Sequence, residues 1–203
     1  MKSPIETFSE WVKNGKDDGM EKNHYEPVSK IIELINSTEN NFNIIDAGCG
    51  NGWAVRLVAN EKNCKSACGV DGSQLMIQKA KKNDPINNYI HANLNTWNPI
   101  TKVDVVMSME VFYYFKNPQK IINNIFNYWL NQNGRLIIGV DFYYENPQCH
   151  DWQKQTGVSI MNLLKIKEWT NLFKKAGFKD VKKYQFCASG EWKGTLVVEG
   201  TKI

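Results

Sequence analysis

Proton-accepting side chains stand at the ends of apolar runs in this chain. Glu110, Tyr113 and Tyr114 follow VDVVMSM (103–109), Asp141 closes GRLIIGVD with Tyr143 just beyond it, and His24 and His150 lie in polar segments. Groups of this kind at a cleft can act as general bases. His24, Glu110, Tyr113 and His150 are the candidates for a catalytic role, each against the competing reading of a structural residue. His91 sits inside an apolar run and reads as a core or interface histidine. A different chemistry is written in NIIDAGCGNGWAV (43–55), where Asp46, Gly48, Gly50 and Gly52 occupy alternate positions. Glycines there let the backbone approach a ligand and present amide groups at a helix N-terminus. One glycine would suffice for a turn, so three predict a binding loop. The loop lacks the G-x-G-x-x-G spacing of dinucleotide sites, and Trp53 and Ala54 stand where a phosphate-binding loop needs Lys and Ser or Thr.

These residues need elements to position them. NIIDA (43–47), SACGVD (66–71), NYIHAN (88–93), VDVVMSM (103–109) and GRLIIGVD (134–141) read as buried strands. Between them, WAVRLVANE, SQLMIQKAKK and PQKIINNIFNYWLNQ carry apolar residues at three and four spacings, as helices on a sheet do. Regular alternation predicts an α/β fold with a doubly wound, mostly parallel sheet. The tail changes rhythm: helix IKEWTNLFKKAGF stops at Gly177, and VKKYQFCAS and WKGTLVVEGTKI form an antiparallel hairpin with only GE between them. Residues 1–40 are expected to form a helical cap of two helices separated by the polar segment GKDDGMEKNH, and residues 41–203 the binding domain.

Composition narrows the function. Twenty-five basic and 21 acidic residues, net +4, are spread over 203 residues without a charge run, which argues against nucleic acid as partner. No apolar stretch is long enough to span a membrane and the start carries no signal-peptide pattern. A cytoplasmic protein is expected, and its oligomeric state is open. Five cysteines in no framework spacing fit a reducing compartment, and Cys64 and Cys68 lack a second pair at ligand spacing, so no metal is expected.

Four motifs in order are similar to those of the class I S-adenosylmethionine-dependent methyltransferases of the small-molecule type: DAGCGNGW, VDGS, HANLNTW and VDVVMSMEVFYYF. The resemblance covers roughly residues 40 to 200 and implies a seven-stranded Rossmann-like sheet whose last strand is reversed. It implies S-adenosylmethionine as cofactor, S-adenosylhomocysteine as product, and a small-molecule acceptor. A protein or RNA methyltransferase and a nonenzymatic binding protein are the alternatives. SMEV differs from the Asn/Asp-Pro-Pro-aromatic stretch of nucleic-acid amino methyltransferases.

The resemblance also implies roles. Asp46 and Gly48 would face the methionine ammonium, with Cys49, Gly50 and Asn51 completing the loop and Trp53 either closing over it or joining the core. Asp71, followed by Gly72, would take both ribose hydroxyls. Asn93 stands where the family commonly has Asp for the adenine amino group, Leu94 would offer its N–H to adenine, and Met76 would pack on the ring. Ser108 and Met109 would line the methionine end. The segment around His24 and the insertion around His150, both read as irregular, are expected to meet over the site as a lid. Both are similar to stretches of small microbial methyltransferases.

Overall fold

The computed structural model describes residues 1–203. Seven strands form one sheet: β1 (Phe42–Ala47), β2 (Cys64–Asp71), β3 (Asn88–His91), β4 (Val103–Met109), β5 (Leu130–Val140), β6 (Lys179–Phe186) and β7 (Thr195–Thr201). Their order is β3-β2-β1-β4-β5-β7-β6. The first five are parallel, while β7 runs antiparallel to both neighbours. The predicted reversed last strand is therefore present.

Each central strand is apolar on both sides because each side meets a helical layer. Ile44, Val105, Ile137 and Val197 point into one core, and their successors Ile45, Val106, Ile138 and Val198 into the other. Burial of each such side chain contributes about 1.5–3 kcal/mol, so the period of two fixes which layer each strand residue serves. One layer holds α2 (Gly19–Asn36), α3 (Trp53–Ala59) and α4 (Gln74–Asn83), and the other α5 (Pro118–Asn124) and α7 (Ile166–Ala176). Gly177 ends α7 at φ 106°, the left-handed cap its type predicts. No helix is long and apolar enough to cross a membrane.

Three local expectations need correcting. GMEKNH is not an irregular spacer: after α1 (Pro4–Asn14) and a 3₁₀ turn at Lys16–Asp18, it forms the start of α2. The second half of α2 buries Val28, Ile31, Ile32 and Ile35 in the sheet core, so only the first part of the predicted cap overhangs the site. The helix expected through residue 132 is α only to Asn124 and continues as a π-helical turn, Ile125–Trp129. Leu130 then pairs with Val103 and begins β5. In the closing hairpin, β6 and β7 are separated by residues 187–194, and Gly190 and Glu191 sit at its tip inside an isolated bridge between Ser189 and Trp192.

Candidate functional site

The carboxyl ends of β1, β2 and β4 open on a cavity of about 810 Å³, lined by glycine-loop and β2-end residues below and by the N-terminal and 152–161 segments above. That volume lies in the upper part of the range for small-molecule sites. All three loop glycines have positive φ: Gly48 88°, Gly50 53° and Gly52 80°. Only two need that freedom for packing reasons: a Cβ on Gly48 would strike Val111, and one on Gly52 would reach the Tyr89 ring at 2.6 Å. Gly50 faces the cavity, with the Met20 and Met76 side chains as its nearest neighbours there.

Asp71 sits at the end of β2 and holds the loop. Its Oδ2 accepts the Gly50 N–H at 3.0 Å and its Oδ1 the Ser73 N–H at 2.7 Å. Burial raises its pKa, and those two amide groups oppose the rise. Asp46 is buried beside a void of about 30 Å³ lined by Met20, His24 and Gly48. Burial, and then the charge of Asp71, push its pKa up to about 7. Gly72, Met76, Asn93, Leu94 and Met109 all line the main cavity. The Asn93 amide oxygen accepts the Asn95 N–H at 3.0 Å and keeps a second lone pair.

Other expected ligand contacts lie elsewhere. Ser108 does not line the cavity, because its hydroxyl donates to the Ala47 carbonyl at 2.6 Å and ties β4 to β1. Cys49 is buried under Gly69. Trp53 is buried in the core on the α2 side and borders only the small void. Asn51 turns away from the cavity and donates to the Asp17 carbonyl and to Asp17 Oδ2 at 2.9 Å. Asp17 is wholly buried, and Lys79 pairs with it at 2.8 Å. This tie between the N-terminal segment and the glycine loop is invisible in the sequence, where GKDDG is part of a polar segment between two helices.

The candidate bases separate into two groups. His24, Glu110 and Asp141 come together at the cavity, their ligating atoms all within 4.8 Å of one another. Nδ1 of His24 donates to the Met20 carbonyl at 2.9 Å, one helical turn back, which leaves Nε2 facing Asp141 Oδ2 at 3.5 Å. Glu110 adopts φ 60°, a strained conformation for a non-glycine residue that costs of order 1–3 kcal/mol. Its Oε2 accepts the Tyr113 hydroxyl at 2.6 Å and its Oε1 the Asp141 N–H. The Asp141 Oδ1 accepts the Thr195 hydroxyl at 2.6 Å. His150 is not in this group: its Nε2 meets the Tyr144 carbonyl at 3.0 Å, and it lines neither the cavity nor the void. Its segment nevertheless roofs the site, through Trp152, Gln155, Thr156, Ile160 and Met161. His91 is exposed at the end of β3, with Nε2 on the Gly72 carbonyl.

The insertion after β5 is met from the N-terminal side by the start of the chain and α1 rather than by the segment around His24. Lys2 bridges to Val158, its N–H donating to the Gly157 carbonyl and its carbonyl accepting the Ser159 N–H. Phe8 packs edge-on to Tyr114 at 5.2 Å and to Trp11 at 5.1 Å. These aromatic contributors from α1 were not among the predicted site residues, although the alternating faces of that helix signal a buried side.

Burial alone would lower the His24 pKa, but its contact with Asp141 and the charges of Glu110 and Asp141 outweigh this and lift it to about 9. Burial, then Asp141, raise Glu110 to about 8 against the pull of His24. His24, Glu110 and Asp46 thus all bind protons more tightly in the folded protein than in the unfolded chain. Each contributes stability below its unfolded value and loses it as pH rises through its folded one. The melting temperature of the ligand-free protein should therefore fall from about pH 5 to about pH 9. Calorimetric scans across that range test this, and a rising melting temperature would contradict the raised values.

Residues 19–183 match the methyltransferase domain family. A trans-aconitate 2-methyltransferase of Rhizobium rhizogenes is 24% identical over 159 residues, covering 78% of this chain and 57% of that protein. One from Rhodopseudomonas palustris is 34% identical over 77 residues, 38% of this chain and 30% of its own length. The chain thus spans under two thirds of these relatives. Among solved structures, a chain of the complex between the Haloferax volcanii Trm112 methyltransferase activator and a methyltransferase superposes with a TM-score of 0.82 at 23% identity, covering 100% of this chain and 99% of that one. The N-methyltransferase NodS of Bradyrhizobium japonicum, solved with S-adenosylhomocysteine, superposes with a TM-score of 0.67 at 17% identity over 88% of this chain and 86% of that one. These likenesses speak for the fold. Because most of the chain lies inside the family match, the chain belongs to the S-adenosylmethionine-dependent methyltransferases, the methyltransferase domain family.

Proposed function

We propose that the protein transfers the methyl group of S-adenosylmethionine to a small molecule held under the N-terminal segment and the 152–161 segment. The observation that carries this reading is one continuous cavity with a glycine loop and Asp71 at its floor and an ordered roof above them. A bulky acceptor would favour an open cleft, whereas here α1 and α6 (Trp152–Thr156) close over the strand ends. The residues present suit the cofactor's chemistry: a buried carboxylate, Asp46, for its ammonium, the half-buried Asp71 for its ribose, and apolar Met76 and Leu94 for its base.

In this reading Asp71 takes the ribose hydroxyls, Asn93 and Leu94 meet the adenine, and Asp46, Gly48 and Met109 surround the methionine end. Bound S-adenosylmethionine supplies a methyl carbon already activated by its sulfonium. The protein's part is then positional, holding the acceptor in line and excluding water. His24, Glu110 and Tyr113 stand where an acceptor proton would leave. Titration calorimetry should show heat for S-adenosylmethionine and S-adenosylhomocysteine and none for NADH. Tight NADH binding with a silent S-adenosylmethionine titration would sink the reading.

A further inference from the structure

We propose that the methyl acceptor is an arylalkyl amine, which enters as its ammonium ion and seats on the carboxylates of half-buried Glu110 and buried Asp141. The proposal rests on the methyl-transfer reading above and names its acceptor class. Two carboxylates and one imidazole converge at the cavity, so with both acids ionised His24 could compensate only one of the two negative charges. Buried charge is costly without a partner. An ammonium supplies that partner. From Tyr113 an aromatic wall leads away from the acids, with Tyr114 at 4.3 Å, Phe8 5.2 Å beyond it and Trp11 5.1 Å further. Ring faces and edges of this kind hold cations and aryl groups.

A carboxylate acceptor finds the opposite environment. It would add a third negative charge beside Glu110 and Asp141. Neither arginine of the chain lines the cavity: Arg56 donates to the Asn51 carbonyl, and Arg135 pairs with Glu199 across β5 and β7. The lining lysines, Lys16 and Lys116, are exposed. A divalent cation is also a poorer fit, because both Glu110 oxygens and Asp141 Oδ1 already accept hydrogen bonds.

The proton balance follows from the groups facing the cluster, which are His24 from α2, Glu110, Tyr113 and Tyr114 after β4, and Asp141, with the Cys149 thiol nearby. As the ammonium seats, the cluster gives up a proton and His24 becomes neutral. The amine then passes one proton to Nε2 of His24, and its lone pair forms the new N–C bond. The S–C bond breaks with its electron pair going to sulfur. The products are S-adenosylhomocysteine and the methylated ammonium, and His24 keeps the amine's proton, which restores the cluster as the product leaves, so that each cycle releases one proton.

The test is titration of the full chain, loaded with S-adenosylhomocysteine, with phenethylamine, tyramine, 3-phenylpropionate and trans-aconitate, in phosphate and in Tris. The amines should bind, with a buffer-dependent heat equal to release of about one proton at neutral pH, and the carboxylates should not. Glu110→Gln should weaken amine binding by about ten- to a hundredfold while S-adenosylhomocysteine binds as before. Asp141→Asn repeats the measurement if Glu110→Gln fails to fold. Tighter binding of either carboxylate, silence of both amines on the loaded protein, or heats independent of buffer would each overturn the proposal. So would a divalent cation retained through EDTA dialysis and lost in Glu110→Gln, which would mark a metal centre. Failure of S-adenosylhomocysteine itself to bind would strike the methyl-transfer reading instead.

Discussion

Asp71→Ala is expected to weaken S-adenosylmethionine binding by roughly ten- to a hundredfold, the effect of losing a charged hydrogen-bond partner worth about 1.5–3 kcal/mol. The side chain has two tasks, because the carboxylate proposed to meet the ribose also accepts the Gly50 and Ser73 N–H groups, the first of which shapes the floor of the cavity. Alanine leaves that amide without its partner and lets the loop relax. Asp71→Asn should fall between the two, since its carbonyl oxygen can keep one of the two amide bonds while its NH₂ cannot accept the other. Calorimetric dissociation constants for the three proteins give the order. An unchanged constant in the alanine variant would mean that another group reads the ribose.

Gly52→Val should cost the fold itself about 3–5 kcal/mol, and with it about 6–20 °C in melting temperature for a domain of this size. The backbone at φ 80° is costly for a branched side chain, and the first added carbon already lies 2.6 Å from the Tyr89 ring. That ring cannot retreat: it is buried, and its hydroxyl donates to Asp84 at 2.7 Å. Gly50→Ala offers the contrast. Its added methyl meets the end of the flexible Met20 side chain at 3.0 Å, so stability should drop only by about 1 kcal/mol while the cavity floor is obstructed. Thermal melts and cofactor titrations of both variants separate the two roles, and a Gly52→Val protein melting with the wild type would refute the packing argument.

The glycine loop and the sheet were legible because they rest on local rules. Alternating burial fixes a strand's two faces, and three glycines before an apolar helix signal a backbone-lined turn. Asp71 could be placed for the same reason, at the end of a strand that the pattern itself bounds. What escaped depends on long-range partners. Nothing near Asp17 in the chain announces that Asn51 and Lys79 will surround it. Ser108 looks like a cavity residue until the Ala47 carbonyl is found beside it. His150 and His24 are equivalent as sequence, and only packing brings one to Asp141 and leaves the other on the Tyr144 carbonyl. The π-helical turn before β5 was missed because an amphipathic pattern runs through it into Leu130, which belongs to the strand.

The bridge between Lys2 and Val158 joins the start of the chain to the segment before α7 through two backbone hydrogen bonds. The sheet below holds its shape through seven paired strands, so the hinge of least resistance lies in the roof. In the proposed reading the acceptor lies under α1 and α6, the helices that this latch ties together. Chemistry at an activated methyl group asks little rearrangement of the glycine floor. Where opening of such a roof limits turnover, small changes at Lys2 or Gly157 act on the rate without touching any group that meets the reacting atoms.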